Sequence, residues 1–355
     1  MQDVSKLVSL FIIGLYRVES KMLNIIDYVP DGFLDADATQ LQSLLQSPTL
    51  IHLAGRRVEP LFVSVLLHGN EITGLQAIQD LLRKYQNKDL PRSLSVFIGN
   101  VSAAERGMRR LDGQPDYNRT WPGTEIPSCD ETLIMQQVKD EMRLRKVFAS
   151  IDIHNNTGIN PHYACVNFVS DRFLHLATLF SRTVVYFTRP LGVQSSAFAD
   201  LCPSVTIECG KVGQQYAETH AMEFLDAALH LSEIPVHAFP EQDIDLFHTI
   251  AIVKVPEQAS FSFNGDEADI CFDSDLDHMN FRELNKGTRF GQLGNKTNIK
   301  LEAWSNDGID ISQELFEYRN SEILTLKPLM PSMLTLNERV IRQDCLCYVM
   351  ERYEI

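Results

Sequence analysis

None of the seven cysteines in this chain (Cys129, Cys165, Cys202, Cys209, Cys271, Cys345 and Cys347) has a partner at Cys-x-x-Cys spacing. An odd number of scattered thiols argues against a disulfide framework and suits a reducing compartment, so a cytoplasmic protein is expected. Long apolar runs are also missing. The most apolar N-terminal stretch, Leu7 to Tyr16, is closed by Lys6 and Arg17, far short of the roughly 20 residues of a membrane-spanning helix. It makes a poor signal peptide too, because Asp3 accompanies Lys6, and Glu19-Ser20-Lys21 stand where small residues should mark cleavage. Met22 reads as a natural start, with residues 1–21 an extension or an alternative initiation.

Positive charge is scarce: 32 Lys and Arg face 47 Asp and Glu, a formal charge of −15. Such a surface repels phosphate backbones and anionic lipid, and the densest basic segment, Arg106 to Arg110, is too short to reverse that. No nucleic-acid or membrane partner is therefore expected, and an acidic substrate would need a few placed arginines. There is no internal repeat or low-complexity tract. What remains is an ordinary globular composition, 44% hydrophobic and 22% charged over 355 residues. At roughly 100–200 residues per domain, that length predicts two or three domains, burying about three quarters of the unfolded surface. A homo-oligomer is plausible on base rates alone.

From about residue 61 to 232, short β-rich runs alternate with helical patterns, which predicts an α/β unit. Leu61 to Leu67, opened by Pro60, is a continuous apolar run of the kind buried on both faces of a sheet. His68-Gly69-Asn70-Glu71 breaks it, and Leu75, Ile78, Leu81, Leu82 and Tyr85 then recur at helical spacing. Further strands are predicted at Leu94 to Ile98, Ile151 to Ile153, Tyr163 to Val169, Thr183 to Phe187 and Val205 to Ile207. Helices are predicted from a capping box at Ser128-Cys129-Asp130-Glu131 to about Phe148, from Asp171, and from about Gln214 to Leu231. His68, His154 and Glu208 each follow an apolar strand, and in open α/β sheets ligands bind in the crevice beyond the strands' carboxyl ends.

After Pro235 the pattern changes to short alternating runs, Ile250 to Val255, Ser260 to Phe263 and Cys345 to Met350, which predicts a smaller, mainly β domain. The expected division is 1–50 as an N-terminal extension with the first elements of the catalytic domain, 51–234 as the catalytic domain, and 235–355 as the β domain. The carboxylates from Asp266 to Asp277 lack the order of a calcium loop and read as solvated.

His68 and Glu71 lie three apart across a turn, so both side chains can converge on one point, and both residue types are good zinc ligands. Alone, His-x-x-Glu is most often a turn histidine beside an exposed glutamate. A third ligand is available in Asp152-Ile153-His154-Asn155-Asn156, on a strand of the same sheet. Two histidines and one carboxylate leave a fourth position for water, as catalytic zinc requires. Between these ligands runs Asn100-Val101-Ser102-Ala103-Ala104-Glu105-Arg106-Gly107-Met108-Arg109-Arg110-Leu111-Asp112, followed by Asp116-Tyr117-Asn118-Arg119. Thr206-Ile207-Glu208-Cys209-Gly210 comes later. In this order, the motifs resemble the succinylglutamate desuccinylase/aspartoacylase family over about Ile51 to Leu231.

The resemblance implies a zinc-carboxypeptidase-like α/β/α sandwich with a mixed central sheet, plus the smaller mainly β C-terminal domain. It implies one zinc per chain on His68, Glu71 and His154, with Glu208 as general base and Arg109 polarising the scissile carbonyl. Asn118 and Arg119 would hold the carboxylate of the amino-acid part. Side-chain chemistry agrees, because a planar guanidinium binds a carboxylate bidentately, although a lone arginine more often ends in a surface ion pair. The implied reaction is hydrolysis of the amide bond of a small N-acyl amino acid, the β domain narrowing access. The alternatives are a metallocarboxypeptidase or peptidoglycan-type amidase with the same zinc site, and a catalytically silent metal-binding sensor.

Two departures bear on the substrate. The loop from Asp112 to Asp116 is slightly longer than in aspartoacylases. Aspartate-specific members share an arginine roughly ten residues before the glutamate, where this chain has Ser195-Ser196-Ala197-Phe198; an aspartate side chain would be left unpaired. N-acetylaspartate is therefore disfavoured. Tyr348 and Tyr353 are candidates for the family's C-terminal tyrosine. Cys209, Cys345 and Cys347 read as packed, His162 and His175 as structural, and the sequons at Asn118, Asn155 and Asn295 as accidental in a cytoplasmic protein.

Overall fold

In the computed structural model, residues 23–354 are described except 264, 266 and 295–298. The N-terminal apolar run, the start at Met22 and the Asn295 sequon lie outside the described residues. The described residues begin with β1 (Asn24–Ile26), α1 (Leu41–Leu45), β2 (Thr49–Leu53) and β3 (Leu61–Val65). Then come α2 (Thr73–Tyr85), β4 (Leu94–Ile98), α3 (Val101–Ala104), α4 (Asp130–Leu144) and β5 (Ala149–Asn156). The α/β part closes with β6 (Tyr163–Val166), α5 (Asp171–Thr178), β7 (Thr183–Tyr186), α6 (Gln194–Phe198), β8 (Ser204–Lys211) and α7 (Ala217–His230). The C-terminal part adds β9 (Asp245–Lys254), β10 (Phe261–Ser262), β11 (Ile270–Cys271), β12 (Arg289–Leu293) and β13 (Glu302–Ser305). It ends with α8 (Ser312–Leu315), β14 (Phe316–Arg319), β15 (Glu322–Thr325), β16 (Met330–Ser332), α9 (Glu338–Gln343) and β17 (Cys347–Arg352).

The strands form one 12-stranded mixed sheet, ordered β1-β2-β4-β3-β5-β8-β6-β7-β9-β17-β16 with β13 also on β9. At its centre β4, β3, β5 and β8 are mutually parallel. Period-two alternation decides what each face of β3 meets. Leu61, Val63 and Val65 join a core shared with Leu75, Ile78 and Leu81 of α2 and Phe224 and Leu225 of α7. Phe62 faces the other way, into a cluster with Ile134, Met135 and Val138 of α4 and Phe198 of α6. There Phe62 and Phe198 stack at 4.6 Å, and the buried Trp121 meets both edge-on. The sheet is thus covered by helices on both faces, which explains the unbroken apolar run and gives the expected α/β/α sandwich.

The C-terminal residues build a second, five-stranded sheet, β10-β11-β12-β15-β14, over a separate core. They also extend the first sheet. β9 pairs in parallel with β7, and β17 and β16 follow it antiparallel, so C-terminal residues stand beside the α/β half of the sheet.

Local differences from expectation have local causes. α4 starts one residue later than the Ser128 box, with Cys129 as its cap and Thr132 Oγ1 accepting from the Cys129 N–H at 2.9 Å. It stops at Leu144 because Lys146 turns left-handed and the Phe148 N–H bonds to Pro60 O at 2.9 Å. The acidic loop is not solvated throughout: Asp277 is buried and accepts from the Ile159 N–H at 3.2 Å and from Lys211 Nζ at 3.3 Å, fastening the C-terminal part to the loop after β5. Among the described residues no helix is long and apolar enough to cross a membrane.

Candidate functional site

Because β3, β5 and β8 are parallel, their carboxyl ends meet at one edge of the sheet. His68 and Glu71 sit in the turn from β3 to α2; His154 and Glu208 lie opposite one another in register on β5 and β8. Both strands continue past the predicted ends, through Asn156 and Lys211, so these two side chains lie inside strands. The β3–α2 turn is held from outside: the Gly69 N–H donates to Arg109 O at 3.1 Å, which binds the arginine loop to the turn of His68 and Glu71.

One nitrogen or oxygen from each of His68, Glu71 and His154 lies within 4.8 Å of the others, and all three residues are buried. Nδ1 of His154 is 2.7 Å from Glu71 Oε2. Nδ1 of His68 is 2.8 Å from Glu71 Oε1 but off the hydrogen-bonding direction, so this buried nitrogen has no hydrogen-bond partner. The other ring nitrogens are engaged: His68 Nε2 with Asp116 Oδ1 at 3.0 Å, and His154 Nε2 with Asp152 Oδ2 at 2.7 Å. A carboxylate only accepts, so each Nε2 is held as a donor by its outer carboxylate, which leaves each Nδ1, beside Glu71, as the ring atom that faces the common point. Ser64 Oγ donates to Asp152 at 2.6 Å and the Asn118 N–H to Asp116 at 2.8 Å, fixing both carboxylates.

Electrostatics make the same demand. Burial opposes charge on His154, yet Asp152 and Glu71 outweigh it and push its pKa well above the ordinary range. Burial opposes ionisation of Glu71 too, and His68 and His154 overcome it and hold the carboxyl low. The cluster is built around positive charge, and its two nitrogens and one carboxylate are a donor set that fits zinc.

Glu208 is buried beside this cluster, and its Oε2 accepts from Asn156 Nδ2 at 2.7 Å. Burial pushes its pKa up to about 7, resisted by His154 and reinforced by Glu71. Arg109 Nη1 lies 3.4 Å from Glu71 Oε1, and its Nη2 is 3.3 Å from both Asp116 and Asp344. Asn118 is held through its Oδ1, which accepts from the Gln194 N–H at 3.2 Å, and its Nδ2 lies 3.3 Å from His154 Nε2. Arg119 donates to Asn118 O at 2.8 Å and reaches Asp344 at 3.3 Å.

The seven residues singled out in the sequence thus line one cleft. Its far wall is largely apolar, including Val185, Phe187, Pro190 and Met333. Of the two candidate tyrosines, Tyr348 lines the cleft, whereas Tyr353 packs outside it against Tyr186 and His248. The Ser195–Phe198 segment brings no cation: Ser195 bonds to Asn167 and Thr206, and Phe198 stacks in the core. Cys209 is buried with its thiol pushed well up, chiefly by that burial, and is packed as expected. His162 stacks on Phe180 and His220, and His175 bonds to a backbone carbonyl.

Sequence reading gave no role to Asp116, Asp152, Asn156 or Asp344. Asp152 had a signal, because it is two residues before His154 on a strand and shares its face. Asp344 had none: it is 225 residues from Arg119 in the chain.

A mixed sheet covered by helices on both faces, with a histidine–glutamate cluster at the strands' carboxyl ends, defines a carboxypeptidase-like α/β/α fold. Residues 58–232 match the model of the succinylglutamate desuccinylase/aspartoacylase catalytic domain. This segment, just under half of the chain, is identified as a succinylglutamate desuccinylase/aspartoacylase catalytic domain. Among solved structures the chain is similar to a succinylglutamate desuccinylase from Chromobacterium violaceum, at 16% identity and TM-score 0.55, covering 85% of this chain and 86% of that one. It is also similar to murine aminoacylase 3, at 13% identity and TM-score 0.56, covering 85% of this chain and 98% of that one. No curated protein sequence matches the chain.

Proposed function

We propose that this chain is a zinc-dependent amidohydrolase that removes the acyl group from a small N-acyl amino acid. The observation that carries the reading is the convergence of His68, Glu71 and His154 on one buried point, with Glu208 in register beside His154. His68, Glu71 and His154 would hold one zinc ion. When bound, such an ion lowers the pKa of water and polarises a carbonyl.

The chain's own residues supply the rest. Glu208 takes the proton of the attacking water and returns it to the leaving amine. Arg109, its guanidinium 3.4 Å from Glu71, faces the oxygen that gains charge as the carbonyl becomes tetrahedral. Asn118, locked by Gln194, and Arg119 receive the carboxylate end of the amino acid, in competition with Asp344. Asp116 and Asp152 hold the histidine tautomers. The apolar wall and the lack of a cation from Ser195–Phe198 argue for a substrate whose remaining group is not acidic.

The sequence-based division is proposed as functional. Residues 51–234 carry the polar centre, while 235–355 contribute Thr249, Ser332, Met333, Asp344 and Tyr348 to the cleft, narrowing it. Cytoplasmic location and homo-oligomerisation belong to the same proposal, the latter tested by light scattering.

The test is metal analysis of the purified chain together with hydrolysis of a panel of N-acyl amino acids and C-terminal dipeptides, before and after chelation. About one zinc per chain with chelator-sensitive release of free amino acid is the expected result. Release from the dipeptides alone would move the reading to a carboxypeptidase, and no metal after reconstitution would end it. Glu208→Gln should keep its zinc and hydrolyse little; retained activity would remove Glu208 as the base.

A further inference from the structure

Asp344 follows α9 in the C-terminal part and lines the cleft, its side chain 22% exposed. Its Oδ1 accepts from Arg119 Nη2 at 3.3 Å and its Oδ2 from Arg109 Nη2 at 3.3 Å, so one carboxylate bridges both guanidiniums. Arg109 also meets Asp116 at 3.3 Å and Glu71 at 3.4 Å. Two guanidiniums therefore face three carboxylates of the protein itself. Among the described residues, Arg109 and Arg119 are the Arg and Lys side chains that line the cleft.

A substrate carboxylate arriving at Arg119 would find no unpaired guanidinium there. It must either displace Asp344 or share the arginines with it against like-charge repulsion. Displacement is feasible, because contacts of 3.3 Å are looser than the ~2.8 Å of a tight charge-assisted hydrogen bond. The cost nevertheless falls on every ligand that brings a carboxylate, and a neutral ligand escapes it.

We propose that Asp344 is a specificity-determining residue: it occupies the carboxylate position between Arg109 and Arg119 and tilts the cleft from N-acyl amino acids toward their carboxyl-masked analogues, such as amides. This rests on the deacylase reading of the cleft. Asp344 acts as a resident anion supplied by the C-terminal part.

The experiment compares N-acetyl-L-leucine with N-acetyl-L-leucinamide on the full-length, zinc-loaded wild type, Asp344→Asn and Asp344→Ala. Binding is followed by calorimetric titration, and kcat and KM are followed where turnover occurs. Asp344→Asn preserves the shape of the side chain, and Asp344→Ala removes the group altogether. Both are expected to bind the acid about tenfold tighter, the scale of one charge-assisted pair, and the amide within about twofold of wild type. The gain should appear in KM rather than kcat. If acid and amide shift in parallel, or the acid binds more weakly, Asp344 is only a structural brace for the arginines and the inference is overturned. If the wild type hydrolyses the acyl panel while that ratio stays fixed, the inference alone fails; if neither ligand binds any form, the deacylase reading fails and takes the inference with it.

Discussion

Each histidine of the cluster has one nitrogen held by a carboxylate and the other aimed at Glu71. That division of labour makes the outer carboxylates testable. Asp152→Asn removes the charge that fixes His154, so zinc affinity is expected to fall roughly 10–100-fold in competition with a chromophoric chelator. Unchanged affinity would leave Asp152 with only its hydrogen bond to Ser64. Arg109→Ala should keep its zinc while kcat falls about a hundredfold to a thousandfold, the usual cost of one oxyanion donor. A loss confined to KM would instead place Arg109 on the substrate's ground state. At this scale the sequence showed residue types and order; a strand's period of two puts Asp152 on the face of His154, a signal that the motif reading left unused. Asp344 was invisible, because nothing near it in the chain hints at an arginine.

The His68–Glu71 turn between β3 and α2 packs against α3 only because Gly69 has no side chain. A Cβ there would stand 2.2 Å from Ala104 N and 2.4 Å from Ala103 C, both rigid backbone atoms of α3. Gly69→Ala must push β3's turn away from α3, so a cost of ~1–3 kcal/mol or more is expected, with zinc lost alongside it. A melting temperature and metal content equal to wild type would show that the turn yields freely. The elements themselves were legible where hydrophobic spacing was strong, as in the run opened by Pro60 and the helix of Leu75, Ile78 and Leu81. Their ends were less so. β5 and β8 continue through polar residues because neighbouring strands supply hydrogen bonds along that whole length, which a local apolar pattern does not register.

Across the whole molecule, the C-terminal part both closes the cleft and completes the sheet. β9 covers the edge of β7, and Phe247, Met330 and Met350 pack on Tyr163, Cys165 and Val185. A chain cut after residue 234 would expose that strand edge and its apolar face, so it is expected in the insoluble fraction, unlike the full chain. A soluble, monomeric fragment with a cooperative melt would show that the first part folds alone. The change of pattern after Pro235 was visible in the sequence, but the return of 245–254 to the first sheet was not, since a strand's partner is set by long-range pairing.

By itself the sequence determined the α/β class and singled out the histidine–glutamate pair, the third histidine, Glu208 and the two arginines as candidates, because short motifs and periodicity are local properties. Only the tertiary structure decided that these groups share one point, that Asp116 and Asp152 hold the imidazoles, that Tyr348 rather than Tyr353 faces the cleft, and that Asp344 sits between the arginines. Those facts depend on which strands lie side by side, and that is fixed by burial and backbone pairing over the whole chain rather than by any segment of it.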